Sequence, residues 1–564
     1  MDNHNKLIVI GLDGAPYQLI RKWTQSGDLP NLGRLIQQGN FNVLKSTIPV
    51  HSPTAWSSFI TGLNPGKHGV FDFVRRDKED YQLRVVQANE IKGTSLWKLL
   101  GQQGAQVGVM NVPMTYPPEP VNGYLISGLG TPDYVPYTYP PELSEQLNAA
   151  GYRVNKKFFY TPGRDDEWLE DISSITEERG KTAVRLLKEK PWDFFMVVFR
   201  NTDEIGHFFW RHMDESHPRH DPNAPARYKT AILDLYRQVD RWVGEIVTAA
   251  GPDTNILIMS DHGMGPLYRD VFINEWLWKQ GWLMLKETAD GKKNGRSFFR
   301  KIGLTRKNIS DALTRLNLHR VEVIIKQILG DRIRVLPRDE RPEFINAIDW
   351  SKTKAYSFGY YGQIFINLKG REPEGIVEPG EAYETLRQEI IRGLSELTDP
   401  EDGRPVVDRV YTREELFHGP SLEQAPDLLT IMRDLTYITR KDYEFASERG
   451  ILFRQPYTDE SGSHHLDGIL IMAGPDIEQR GDSLPASPHI PDVTPTILHL
   501  MNCPIPSTMD GQVLGSLISA EQMKNNPIRY VEEALEDRQD ENSDWDAEAE
   551  AEVMERLKKL GYLG

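Results

Sequence analysis

The stretch Asn255-Ile256-Leu257-Ile258-Met259-Ser260-Asp261-His262-Gly263-Met264-Gly265 ends an apolar run with a carboxylate beside an imidazole. The run is a predicted buried strand, closed by Gly263 and Gly265. In an open α/β sheet, ligands bind outside the carboxyl ends of the strands. Neighbouring residues of a regular strand face opposite ways, so Asp261 and His262 can serve one metal only if the backbone turns there. The two glycines permit that turn. Aspartate and histidine suit Zn²⁺ or Mn²⁺. Alone, the same residues also describe a strand that ends in a polar turn.

The rest of the chain repeats the pattern. Leu7-Ile8-Val9-Ile10-Gly11-Leu12 is a second buried strand, and Asp13-Gly14 follows it. Ser52 and Pro53 open a predicted helix running to Thr61. A hydroxyl there lies against unsatisfied backbone N–H groups and the positive end of the helix dipole. Such a place holds phosphate and favours an alkoxide nucleophile, though an ordinary capping serine reads the same way. Thr54 carries a second hydroxyl in the same turn. Asn111, after the predicted strand 107–110, is a candidate donor to a phosphoryl oxygen or a simple turn residue. His68 lies in a turn-rich loop and reads as structural or as close to the site.

Residues 193–199 form another predicted strand, leading into Asn201-Thr202-Asp203-Glu204-Ile205-Gly206-His207. Asp203 and His207 are one helical turn apart and share a face. A catalytic metal takes about three protein ligands, so a pair of metals takes about six. Asp13, Asp203, His207, Asp261 and His262 make five. His464, just before the strand 469–472, fits the sixth place, with His465 as the alternative.

In this order the motifs resemble the type I phosphodiesterase/nucleotide pyrophosphatase family of the alkaline phosphatase superfamily. The matching residues are Gly11-Leu12-Asp13-Gly14, the run from Thr61-Gly62 to His68-Gly69, Asp203 to His207, Ser260-Asp261-His262-Gly263 and Gly462-Ser463-His464. Asp492-Val493-Thr494-Pro495 and Met509-Asp510-Gly511 match the closing segment. The resemblance implies a mostly parallel sheet sandwiched by helices, and two divalent ions, usually zinc, with manganese as the other candidate. Asp203, His207 and His464 would hold one ion. Asp13, Asp261 and His262 would hold the other, beside the nucleophile. Family nucleophiles are often threonine in a Thr-x-Pro context. Counting back from Thr61-Gly62 puts Ser52 at that position, but Pro53 comes one residue early and Thr54 stands where the proline would be.

The implied reaction is hydrolysis of a phosphodiester or pyrophosphate bond through a phosphoserine, on a small phosphorylated substrate such as a nucleotide. A phosphomonoesterase, a phosphoglycerate-mutase-like phosphotransferase and a non-catalytic phosphate-binding protein use the same ligand set. The sulfatase motif Cys/Ser-x-Pro-x-Arg is absent.

Length and charge frame this reading. At 564 residues the chain exceeds one simple core. The expected division is a catalytic core over 1–285 and 346–520, a basic inserted cap over 286–345, and an acidic tail with a short helix over 521–564. Residues 292–334 carry twelve Lys/Arg against three Asp/Glu, and residues 532–552 carry eleven Asp/Glu against one arginine. A net charge of −16 argues against stable nucleic-acid binding. No apolar run reaches the ~18 residues of a membrane span, and the single cysteine, Cys503, excludes a disulfide framework. The expectation is a cytoplasmic protein of undetermined oligomeric state.

Overall fold

The computed structural model describes residues 5–286 except 78 and 134, then 344–440, 453–482 except 455 and 457–458, 487–535 and 547–559. The basic stretch 292–334 lies outside the described residues, as does part of the acidic tail.

Eleven strands and six helices position the site. The strands are β1 (Lys6–Leu12), β2 (Gly39–Lys45), β3 (Val107–Met110), β4 (Gly123–Ile126), β5 (Thr138–Tyr139), β6 (Phe194–Phe199), β7 (Thr254–Met259), β8 (Gly263–Pro266), β9 (Gly462–His465), β10 (Asp467–Ala473) and β11 (Gly481–Asp482). The helices are α1 (Ser52–Thr61), α2 (Asp165–Glu189), α3 (Asn201–Met213), α4 (Ala226–Ala250), α5 (Ile490–Leu500) and α6 (Ala547–Lys559). Nine strands form one sheet in the order β11-β2-β10-β7-β1-β6-β3-β4-β5. The run from β7 to β4 is parallel, while β10 enters antiparallel between β2 and β7.

Both faces of this sheet are buried, and the alternation of side chains is visible along β1. Ile8, Ile10 and Leu12 join a core with Trp168 and Ile172 of α2, Ile205 and Phe209 of α3, and Val239 of α4. Leu7 and Val9 point the other way, to Trp56 and Phe59 of α1 and Val493 and Ile497 of α5. Each such fully buried side chain stabilises the fold by roughly 1.5–3 kcal/mol. The two helical layers meet at the carboxyl edge of the sheet, and this brings α1 and α3 to one place.

The segment 344–440 builds something separate. Ala355–Ser357, Ile364–Ile366, Leu428–Met432 and Val407–Thr412 form a four-stranded antiparallel sheet over its own core, which includes Trp276, Trp350, Tyr356 and Phe365. Helix α6 docks on that core through Val553 and Leu557. Its Glu550 accepts a hydrogen bond from the Val85 amide at 3.1 Å, and Arg556 pairs with Asp133 at 2.6 Å. Among the described residues no helix is long and apolar enough to cross a membrane.

The contact between β1 and α1 leaves no room at Gly11. A Cβ there would lie 2.8 Å from the Trp56 ring and 2.9 Å from Val198. Gly11→Ala should therefore cost about 1–3 kcal/mol by overpacking, read as a lower urea midpoint. Gly33→Ala, with 3.6 Å to its nearest neighbour in a helix, should be neutral or stabilising.

Candidate metal and phosphoryl-transfer site

Five elements deliver the ligand set. Asp13 follows β1, and Asp203 and His207 lie on the first two turns of α3. Asp261 and His262 occupy a bend between β7 and β8, so the backbone turns there and both side chains reach one cluster. The antiparallel ribbon β8–β9 sets Met264 opposite His464 and brings His464 over His262, with ring centroids 3.6 Å apart and planes 20° apart. His465 turns to the other face of the ribbon, over Gly265.

The distances describe one cluster. Asp203 Oδ1 is 3.3 Å from both His207 Nε2 and His464 Nε2, and these two nitrogens are 3.1 Å apart. His262 Nε2 lies 3.1 Å from Asp261 Oδ2 and 3.8 Å from Asp13 Oδ1. Two ligating groups result, Asp203/His207/His464 and Asp13/Asp203/His262, with the atoms of each within 4.8 Å of one another. Asp203 thus stands in both, and Asp261 joins the second through its contact with His262. All six residues are buried except His207, which is partly exposed.

The donor chemistry fits a divalent cation. Each histidine gives its Nδ1–H to a backbone carbonyl, which can only accept: His207 to Gly462 at 3.0 Å, His464 to Val50 at 2.9 Å and His262 to Gly263 at 3.0 Å. This leaves three Nε2 lone pairs directed at carboxylate oxygens. Asp13 Oδ1 and Asp261 Oδ2 are buried without a hydrogen-bond partner. Lone pairs that face lone pairs in a dry site favour a shared proton or a metal cation between them, and the second suits this donor set.

Neighbouring groups orient the ligands. Trp56 Nε1 donates to Asp13 Oδ2 at 3.2 Å and the Gly14 amide to Asp261 Oδ1 at 3.1 Å. Thr202 donates to the Asp13 carbonyl at 2.6 Å. Gly14 has φ 66°, and a Cβ there would sit 2.9 Å from Asp203 Oδ1, so both the turn and the close approach demand glycine.

Ser52 is the first residue of α1, with His51 at the cap. Its Oγ lies 3.1 Å from His262 Nε2. Thr54 is fully buried, and its hydroxyl has no hydrogen-bond partner. Asn111 sits at the edge of β3 with φ 59°, and its amide is engaged at both ends, donating to the Ser127 carbonyl at 3.3 Å and accepting from the Tyr152 hydroxyl. His68 is structural: its Nε2 meets Ser58 Oγ at 2.9 Å and its Nδ1 accepts from the Val70 amide at 3.1 Å.

The sequence reading passes over Trp56, His51 and Tyr361. Tyr361 stacks on His464 at 5.5 Å and 22°. It reaches the site from the second sheet with φ 62°, between Gly359 and Gly362, which also have positive φ. That paired-glycine spacing, and the place of Trp56 one helical turn after Ser52, are the signals a sequence offers.

Electrostatics follow the geometry. Burial, then the charges of Asp261 and Asp203, push the Asp13 carboxyl well above its usual range. Burial also works to raise Asp203, but His207 and His464 outweigh it and hold that carboxyl well below the usual range. Against the cost of burial, Asp203 pulls His207 up to about 9, whereas burial and the charge of His262 lower His464 to about 4.

A mostly parallel sheet with these two ligating groups at its carboxyl edge defines the alkaline-phosphatase-like class of hydrolases. The chain belongs to the type I phosphodiesterase / nucleotide pyrophosphatase family, whose sequence model matches residues 7–462. His464 lies two residues beyond that match. The structure of phosphonoacetate hydrolase from Sinorhizobium meliloti, in complex with phosphonoacetate, is similar at 12% identity over 89% of this chain and 96% of that one, with a TM-score of 0.52. Human ectonucleotide pyrophosphatase / phosphodiesterase 5 is similar at 11% identity over 92% of this chain and 99% of that one, with a TM-score of 0.47. A search of curated protein sequences found no match.

The raised Asp13 carboxyl has a consequence for stability. Its folded-state value exceeds its unfolded value, so in chelator the protein loses stability as pH rises from the ordinary aspartate range through the raised value. Asp13→Asn should raise the melting temperature in chelator at neutral pH by a few degrees and remove the further rise that zinc gives the parent protein. Calorimetry with and without zinc checks both, and a lower melting temperature for Asp13→Asn in chelator would contradict the assignment.

Proposed function

We propose that this protein is a two-metal phosphohydrolase that cleaves phosphodiester or pyrophosphate bonds through a covalent phosphoserine at Ser52. The observation that carries the reading is the placement of Ser52 Oγ, 3.1 Å from His262 Nε2 on the first turn of α1. Asp203, His207 and His464 would hold one divalent ion, and Asp13, Asp261 and His262 the other. Zinc fits the donor set best, and manganese is the alternative. When bound, the ions supply the positive charge that favours the Ser52 alkoxide and offsets charge on the phosphoryl oxygens.

The chain supplies the rest. Ser52 Oγ bonds to phosphorus while the bond to the leaving oxygen breaks, and the leaving alcohol or phosphate departs. Water then bonds to phosphorus, the Ser52 ester breaks, and the second product leaves. The first-turn amides of α1 face a phosphoryl oxygen in both steps. The Thr54 hydroxyl is a candidate contact to the same group, because it is buried and without a partner. Asn111 is the weaker candidate, because Ser127 and Tyr152 already engage it. A small phosphorylated substrate such as a nucleotide suits the enclosed site. We place the enzyme in the cytoplasm, a reading supported by the single, buried, free cysteine Cys503, which requires no oxidising compartment.

The purified protein should hydrolyse bis(p-nitrophenyl) phosphate with a higher kcat/KM than p-nitrophenyl phosphate. Chelator should abolish both activities and zinc or manganese restore them. A monoester preference would move the assignment to the phosphatase alternative. No turnover of either substrate at full metal occupancy would favour a binding protein.

The nucleophile is tested separately. Ser52→Ala should lower kcat by roughly 10³-fold or more and abolish covalent phosphorylation, while Thr54→Ala should retain a phosphorylated Ser52. Mass spectrometry of acid-quenched enzyme locates the phosphate, and its appearance on Thr54 would show the assignment to be wrong.

A further inference from the structure

His464 is reached from two separate parts of the molecule. Its Nδ1–H is held by one hydrogen bond, to the Val50 carbonyl at 2.9 Å, and its Nε2 lies 3.3 Å from Asp203 Oδ1. A single hydrogen bond through one ring nitrogen leaves an imidazole able to tilt about that bond. Two rings lie nearly parallel to it and oppose the tilt. His262 is 3.6 Å away at 20°, and Tyr361 is 5.5 Å away at 22°. His262 belongs to the other ligating group, so its own orientation answers to a different ion. Tyr361 belongs to neither group and carries no such demand.

The backbone at Tyr361 is strained for the residue it carries. Its φ is 62°, which asparagine or glycine adopts readily and a bulky side chain rarely does. Such strain persists where the surroundings over-determine it, and it concentrates at functional sites. Here the surroundings are tight. The residue is 6% exposed and packs in a small core with Val50, Leu267, Ile431 and Ile438. Its phenol lies beside Ser463 of β9, and its ring is 5.8 Å from His51. Because the Val50 carbonyl holds His464, Tyr361 supports the imidazole twice, by its face and through that anchor. The loop is tied down as well. The Gly362 amide donates to Thr439 Oγ1 at 2.8 Å. Arg440, the next residue, pairs with Asp270 at 2.8 Å and Glu460 at 2.5 Å. Glu460 is followed by Ser461, whose amide donates to the His207 carbonyl at 2.5 Å. The second sheet is thus joined to the His207 and His464 side of the ligand set by contacts outside that set.

We propose that Tyr361 is a positioning residue for the metal site, whose ring fixes the plane of His464 so that Nε2 faces Asp203. The second sheet then takes part in retaining the ion of Asp203, His207 and His464. The inference rests on the proposed function for that ligand assignment, and on nothing in the hydrolytic steps.

The test measures zinc affinities of the full-length protein by competition with a chromogenic chelator. Tyr361→Asn suits the left-handed backbone and removes the ring. Tyr361→Leu keeps apolar bulk in the small core and removes the ring, so a folding failure of one variant leaves the other decisive. Each should weaken one of the two zinc ions by about tenfold or more and leave the other within about threefold. Tyr361→Phe, which keeps the ring, should stay within about threefold of the parent for both ions. In a His464→Ala background the ion of Asp13, Asp261 and His262 is read alone, and adding Tyr361→Leu should change its affinity by less than about threefold. A tyrosine that only fills space would weaken both ions together or neither, and either result in folded protein overturns the proposal. A Tyr361→Phe protein as weak as Tyr361→Leu overturns it too. Failure of the proposed hydrolysis has a different signature: the parent protein holds both ions and turns over neither ester, while the zinc affinities still decide the role of Tyr361.

Discussion

The rest of this structure depends on holding Asp13, Asp203 and Asp261 together out of water. Like charges in a dry site repel, and each carboxylate loses its hydration. The fold answers with directed partners. Trp56 from one helical layer donates to Asp13, the Gly14 amide donates to Asp261, and His207 and His464 attend Asp203. These partners come from α1, the β1 turn, α3 and β9, elements distant in sequence. The cluster therefore forms only when both helical layers are seated on the sheet, and the site is a consequence of the whole core.

The same constraint explains the local backbone. Gly11 lets the Trp56 ring approach β1, and that indole in turn fixes Asp13. Gly14 turns the chain at φ 66° and leaves space for Asp203. The bend between β7 and β8 lets successive residues serve one centre. In the first two cases one residue, Trp56 or Gly14, serves both the packing and the geometry of the carboxylates. Substitutions in this region therefore act on stability and on chemistry together.

Much of this was legible in the sequence because it is local. The strands around 7–12, 107–110 and 194–199 are short, apolar and punctuated by turn residues, and α1 begins at Ser52 as its proline suggests. Asp203 and His207 share a helix face by spacing alone. What was not legible is long-range. The strands Ala355–Ser357, Ile364–Ile366, Val407–Thr412 and Leu428–Met432 lie in the span read as catalytic core, yet they pair among themselves in a separate sheet, since strand propensity does not name a partner. Tyr361 enters the site from that sheet, and nothing local to residue 361 points to His464. Asn111 shows the converse. Its position at a strand end suits a ligand contact, but tertiary packing commits its amide to Ser127 and Tyr152.

The choice between His464 and His465 shows how topology decides between two candidate ligands that composition leaves open. Adjacent strand residues face opposite ways, so one of the two had to be excluded. The pairing of β8 with β9 places His464 across from Met264 and over the His262 ring, while His465 crosses to the other face. A slip of one residue in this ribbon would exchange them. The Nδ1–H bond from His464 to the Val50 carbonyl secures the register, because it ties the ribbon to the residue two before Ser52. That hydrogen bond thus links the strand that carries His464 to the segment that leads into the candidate nucleophile.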